Sequence, residues 1–132
     1  MKFDIVIQCN TPITKSQRKA VHEELRSALE RDKANQFFAN LVKNAVTHSV
    51  EESEPIVKTV DTLKKEKDLY AFYFKKASKQ DKDRITIGFT PNSTLPSAFI
   101  HTEMVENFLY EVTIVEVSHI INVKSIKAKY NK

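Results

Sequence analysis

The stretch KFDIVIQC, Lys2–Cys9, alternates between apolar and polar side chains. A period of two is typical of a β-strand with one buried face. One row of this strand holds Phe3, Ile5, Ile7 and Cys9, and the other row holds Asp4, Val6 and Gln8. The strand is expected to end at NTP, residues 10–12, because asparagine favours turns and proline has no N–H for a ladder.

A helical region is predicted directly after this strand. Thr14 and Gln17 have the spacing of a capping box, in which each side chain accepts a hydrogen bond from the other residue's backbone N–H. Apolar residues then recur at helical spacing to about Val46, but the apolar face rotates by more than about 100° along the way. Because one straight helix cannot direct both faces at one core, we predict a break within residues 31–35 and two helices.

The rest of the chain mixes strand and helix patterns. Enrichment in β-branched or aromatic side chains, or alternation, predicts strands at 56–63, 69–75 and 84–90, with a charged, flexible hairpin loop between the last two. Gly88, inside the third of these strands, suggests a bulge or a close backbone approach. Helical spacing predicts a helix over 97–110, and VTIVEV, 112–117, predicts another strand. Residues 119–130 are expected to add a last strand or an extended tail.

This order of elements predicts an α+β fold. We expect a mostly antiparallel sheet of about five strands with two or three helices on one face, in the order β-α-α-β-β-β-α-β(-β). The 132 residues suit a single domain, 1–132, in which 124–132 is either part of the last strand or an extended basic tail.

Several classes of protein are excluded or disfavoured by composition. The chain has one glycine, Gly88, whereas P-loops and dinucleotide-binding loops need several. Its one cysteine, Cys9, cannot form an intrachain disulfide and suits a reducing compartment, so a cytoplasmic location is expected. No apolar run is long enough for a signal peptide or a membrane span, so no membrane partner is expected.

The four histidines indicate neither a metal site nor a cofactor. His22, His48, His101 and His119 lack ligand spacing, and the cysteine is remote from them in sequence. His101 and His119 are the pair to test for general acid/base catalysis in a metal-free ribonuclease.

Positive charge is concentrated in two segments. Residues 58–84 carry nine basic and five acidic side chains, and residues 118–132 carry four basic and no acidic ones. Clustered charge of one sign attracts anionic partners. The candidate phosphate contacts are Lys64, Lys65, Lys75, Lys76, Lys79, Lys82, Arg84, Lys127 and Lys129.

Aromatic side chains crowd the strand that precedes the basic hairpin loop. If it is extended, Tyr70, Phe72 and Phe74 face one way and Tyr73 faces the other. Either Tyr73 or the other row then lies near solvent, as in sheets that stack bases of RNA, or both rows are buried. Tyr70 and Tyr73 are accordingly the candidate base contacts.

Three functions remain open at this point. The first is a non-enzymatic protein that binds single-stranded RNA or DNA through the basic hairpin loop, the basic tail and the neighbouring tyrosines. The second is a protein-interaction module, an inhibitor, adaptor or assembly subunit, that docks a protein partner or a second copy through its sheet or the 97–110 helix. The third is the metal-free ribonuclease.

Overall fold

Six elements make up the part of the chain that the structure, a computed structural model, describes: residues 1–31, 37, 69–93 and 100–131. In chain order they are β1 (Lys2–Cys9), α1 (Lys15–Arg31), β2 (Tyr70–Phe74), β3 (Arg84–Pro91), α2 (Thr102–Val117) and β4 (Val123–Asn131).

The four strands form one antiparallel sheet in the order β2-β3-β1-β4. Within the described residues, this order and pairing are those of the ferredoxin-like split β-α-β motif. The α+β class is therefore confirmed, with four strands and two helices in the described residues. The expected count of about five strands is wrong for this part of the chain, because one predicted strand is helical.

One row of each strand faces both helices and builds the core. The register places Phe3 opposite Phe89, Ile5 opposite Ile87 and Ile7 opposite Ile85, and all six side chains are buried. The inward row predicted for β1 is thus confirmed. The helices complete the core with Val21, Leu25 and Leu29 of α1 and Met104, Val105, Phe108, Leu109 and Val112 of α2.

An aromatic cluster fills the core beside β2. The Phe37 ring, fully buried, lies 5.2 Å from Tyr70, 5.7 Å from Phe89 and 5.1 Å from Phe108, measured between ring centres. Tilted and edge-on contacts at these separations stabilise aromatic pairs beyond the area they bury. They fix the position of β2 against the helix layer.

The capping box at the start of α1 is confirmed. The Thr14 backbone N–H donates to Oε1 of Gln17, and the Gln17 backbone N–H donates to Oγ1 of Thr14, both at 3.0 Å. The helix extends to Arg31, and the break expected at 31–35 lies beyond it, outside the described residues.

The strand predicted at 112–117 is wrong, since these residues form the last turns of α2. Val112, Thr113 and Val117 are buried on the same face as Phe108 and Leu109. Their β-branched side chains suggested a strand, but packing of this face against the core outweighs a weak intrinsic preference. The helix predicted over 97–110 is correspondingly displaced and runs over Thr102–Val117.

Other expectations concern the remaining segments. Residues 124–131, predicted as a strand or a tail, belong to β4 and pair with β1. The strand expected at 56–63 and the second helix up to Val46 lie outside the described residues, apart from Phe37.

Candidate nucleic-acid interface

The sheet has a second face, directed away from α1 and α2, which we call the open face. Its side chains are those that alternate with the core row on each strand. They are Lys2, Asp4, Val6 and Gln8 of β1, Ala71 and Tyr73 of β2 with Lys75 just after it, Arg84, Thr86, Gly88 and Thr90 of β3, and Ser125, Lys127, Lys129 and Asn131 of β4.

The register aligns these side chains into rows that cross all four strands. One row runs Tyr73, Gly88, Asp4, Lys129, and the next runs through Thr86 and Val6 to Lys127. Three strand spacings of about 4.8 Å separate the Tyr73 strand from the lysine strand, roughly 14 Å in all. An aromatic ring and two ammonium groups therefore share one surface.

The ring of Tyr73 lies on Gly88. A Cβ built on Gly88 would overlap three atoms of Tyr73, its Cε1, Cζ and Oη. The Tyr73 side chain nevertheless remains 58% exposed. Of the two alternatives expected at Gly88, the bulge is absent, because β3 pairs with β1 and β2 without a shift there, and the close approach is made by the side chain of Tyr73. The absent side chain makes room for a tyrosine ring instead.

Asp4 is an acidic group at the centre of the open face. Its Oδ1 lies 2.8 Å from Nζ of Lys75. This hydrogen bond is the main reason that the pKa of Asp4 is below its usual value, and the nearby charge of Lys129 acts in the same direction. The same contact raises the pKa of Lys75. Lys75 is thus partly neutralised by the protein itself.

Lys127 and Lys129 are exposed along β4. They stand opposite Val6 and Asp4 on the neighbouring strand. Lys2 is also exposed on this face. These ammonium groups are available to neutralise phosphate charges, which is the sequence-independent component of nucleic-acid affinity.

The hairpin loop between β2 and β3 is anchored by backbone and side-chain contacts. Arg18 of α1 donates from Nη1 to the Arg84 carbonyl at 2.7 Å and from Nη2 to the Asp81 carbonyl at 2.6 Å. Asp81 accepts from the N–H and the hydroxyl of Ser78 at 3.0 and 2.8 Å. These hydrogen bonds keep the pKa of Asp81 below its usual value.

The cationic side chains of this anchored loop differ in whether they are exposed or engaged within the protein. Lys76, Lys79 and Lys82 are exposed. Nη2 of Arg84 lies 3.0 Å from an Asp81 carboxylate oxygen and also donates to the Gln80 carbonyl, so one nitrogen of this guanidinium is already engaged. Of the predicted phosphate contacts, Lys75 and Arg84 are therefore engaged within the protein.

Tyr70 does not join Tyr73 on the open face. Its ring points to the helix side, and its hydroxyl donates to the Leu29 carbonyl at 2.7 Å. Burial raises the pKa of this hydroxyl well above its ordinary value. The two predicted base contacts are thus on opposite faces of the sheet, and Lys64 and Lys65 lie outside the described residues.

Three residues that shape the open face or its hairpin loop were not identified from the sequence. Asp4 was assigned to the polar row of β1 and Lys2 was not assigned to a row; the position of both on a central strand of an exposed face follows only from the strand order. Arg18 gave no signal, because a surface arginine on a helix is common and its carbonyl partners are more than sixty residues away in sequence.

The two histidines proposed for catalysis lie at opposite ends of α2. His101 precedes the helix and His119 follows it. A helix of 16 residues is about 24 Å long, so the two imidazoles cannot act together on one phosphodiester bond. Within the described ranges, no group of three His, Cys, Asp or Glu residues is arranged to hold a metal ion. No helix of the described part is long and apolar enough to cross a membrane.

A groove of about 1050 Å³ follows the free edge of β2. We call it the β2-edge groove, and its principal walls are His22, Arg26 and Glu30 of α1 and Tyr70, Phe72 and Phe74 of β2. The His22 imidazole stacks on the Phe74 ring with centres 4.2 Å apart, and the Arg26 guanidinium carbon lies 5.6 Å from the same ring centre. Burial, followed by the charges of Arg18 and Arg26, lowers the pKa of His22.

Comparison with known proteins supplies no relative. No family model, no curated protein and no solved structure matches this chain.

Proposed function

We propose that the open face binds single-stranded RNA or DNA without enzymatic activity. The observation that carries the proposal is the Tyr73 ring, laid on Gly88 and 58% exposed on a lysine-rich sheet face. A ring supported from below presents its other side to solvent, where a base can stack. Stacking platforms with adjacent cations are the usual means of binding single strands.

The preference for single strands follows from the shape of the platform. A base can stack on Tyr73 only if it has left its own base stack, and a duplex keeps its bases stacked internally. Lys127 and Lys129 lie on the same face, and the exposed loop lysines adjoin it. They would contact phosphates, while the engaged Lys75 contributes less.

The proposal is tested by measuring the affinity for short single-stranded oligonucleotides at several salt concentrations. Binding should weaken linearly in a plot of log K against log salt. Changing Lys127 and Lys129 together to Ala should reduce the slope by about 1.4, since each single-strand phosphate contact contributes about 0.7. The matched control is Lys15→Ala with Lys19→Ala, which removes the same charge from exposed positions of α1.

Stacking is tested at Tyr73. Tyr73→Ala should weaken binding by about 1–3 kcal/mol, or roughly 5- to 150-fold, whereas Tyr73→Phe should retain most of the affinity. Tyr110→Ala is the control, because Tyr110 is 49% exposed on α2, away from the open face. Wild-type protein that binds no single strand at about 50 mM salt would contradict the proposal.

A protein-interaction module is the second candidate. It is favoured by Tyr110 and Val115 of α2, which are 49% and 68% exposed. Self-association that Val115→Glu abolishes would support docking through this helix. Self-association that survives the change would assign the contact to another surface.

The proposed compartment is the cytoplasm. The ground for it is Cys9, the single cysteine of the chain, which is buried as a free thiol. A reducing compartment keeps such thiols unmodified. We expect the native protein to be recovered from the cytoplasm with Cys9 as a free thiol. Export of the native protein would contradict the proposed location.

A further inference from the structure

The outer edge of β2 carries backbone groups that point away from the sheet. The Lys75 N–H donates to the Thr86 carbonyl at 2.9 Å and the Asn92 N–H to the Leu69 carbonyl at 2.8 Å. In an antiparallel ladder, the N–H and C=O of one residue point to the same side of the strand, and those of the next residue point to the other side. The N–H and C=O of Tyr70, Phe72 and Phe74 therefore point outward, and no strand of the described residues pairs with them.

The side chains of the same three residues enter the β2-edge groove. Each of them is only half-buried although aromatic. Nε2 of His22, which lines the groove, is buried and has no hydrogen-bond partner among the described residues. An extended segment placed along this edge would satisfy the backbone groups and cover the aromatic row at the same time.

Charge is ordered along the groove. The Tyr70 hydroxyl bonds to the Leu29 carbonyl, so this end of β2 lies beside Glu30. The other end, at Phe74, contacts His22 and Arg26. One end of the groove is therefore acidic and the other is basic.

We propose that a second copy of this chain occupies the β2-edge groove, with the two β2 strands antiparallel across a two-fold axis at Phe72. The axis places Tyr70 of each copy opposite Phe74 of the other. Glu30 of each copy then lies beside His22 and Arg26 of the other, because the two-fold axis places the acidic end of one groove opposite the basic end of the other. The groove is thus complementary to itself in both shape and charge.

This arrangement extends the sheet without closing the open face. A two-fold axis perpendicular to the sheet leaves both helix layers on one side and both open faces on the other. The result is an eight-stranded sheet with two Tyr73 platforms on one surface. The inference goes beyond nucleic-acid binding and stands on different residues, so either one can fail alone.

The test exchanges charges within the groove and measures dimer dissociation by analytical ultracentrifugation. R26E and E30R should each raise the dissociation constant by roughly tenfold or more, since each brings like charges together twice across the axis. The double variant R26E/E30R should restore affinity to within about threefold of wild type, because the exchanged charges are again complementary. E24R is the matched control, with the same charge change as E30R at an exposed position of α1 outside the groove.

Backbone amide exchange identifies the interface directly. The N–H groups of Tyr70, Phe72 and Phe74 should exchange slowly in the dimer and faster on dilution. A wild-type protein that is monomeric at about 0.1 mM overturns the proposal. It is equally overturned by a dimer that both single variants leave intact, or by one in which the Phe72 amide exchanges freely.

Discussion

Gly88→Ala should destabilise the protein even though alanine is the better strand residue. Gly88 does not have a positive φ, so alanine fits the backbone. At such positions the change normally stabilises a protein by about 0.4–1 kcal/mol, because it restricts the unfolded chain. Here the new methyl group overlaps the Tyr73 ring. The ring must leave the sheet, and its contact with the strand is lost.

The size of that loss follows from the exposure of Tyr73. With 58% of the side chain exposed, about two-fifths of it is covered. A fully covered aromatic side chain buries about 150–250 Å², so the contact hides about 80 Å². At about 25 cal/mol per Å² this is at most about 2 kcal/mol. Subtracting the gain from alanine leaves a net destabilisation of about 1 kcal/mol.

A double-mutant cycle measured by urea unfolding isolates the contact. In a Tyr73→Ala background no ring blocks the methyl group, so Gly88→Ala should stabilise by about 0.4–1 kcal/mol. The sign of the effect should thus reverse between the two backgrounds, with a coupling energy of about 1–2 kcal/mol. Equal stabilisation by Gly88→Ala in both backgrounds would refute the ring-on-glycine contact.

Three further changes test other contacts by urea unfolding. Thr113→Val should stabilise the protein by about 1 kcal/mol, since Oγ1 of this fully buried threonine has no hydrogen-bond partner in the part of the chain that the structure describes; destabilisation would contradict this. Arg18→Ala should cost about 1–2 kcal/mol because it removes two hydrogen bonds to loop carbonyls, and an unchanged midpoint would show that they contribute little. For the monomer, the lowered pKa of His22 means that the unfolded chain binds the proton more readily, so stability should fall as the pH drops below about 6.5. His22→Phe keeps an aromatic ring stacked on Phe74 and should remove this part of the pH dependence of stability. If the dependence of stability on pH is unchanged in this variant, the titrating group is a different residue.

The local features of the fold were predictable from the sequence. Alternation in Lys2–Cys9 identified the strand and its inward row, and the spacing of Thr14 and Gln17 identified the start of α1. Both signals depend on contacts between near neighbours or on a simple period. By contrast, residues 112–117 resembled a strand in composition, and they are helical because their buried side chains continue the face of Phe108 and Leu109 that packs against the core.

The site was predictable only in part. The alternation in β2 showed that Tyr70 and Tyr73 face opposite ways, but the sequence does not say which face the helices cover. The strand order also brings Lys129 into the row of Tyr73, across two intervening strands and more than fifty residues of sequence. Such long-range placement depends on the whole fold and leaves no local pattern.

Binding of nucleic acid to the open face is observed directly in the amide chemical shifts of the labelled protein, followed while a short single-stranded oligonucleotide is added at low salt. Gly88 is the only glycine of the chain, so its amide signal is readily identified, and it lies beneath the Tyr73 ring. We expect saturable shifts at Gly88, Tyr73 and Lys129, with amides of α1 and α2 little changed. Shifts confined to the helices, or none at about 50 mM salt, would contradict this expectation.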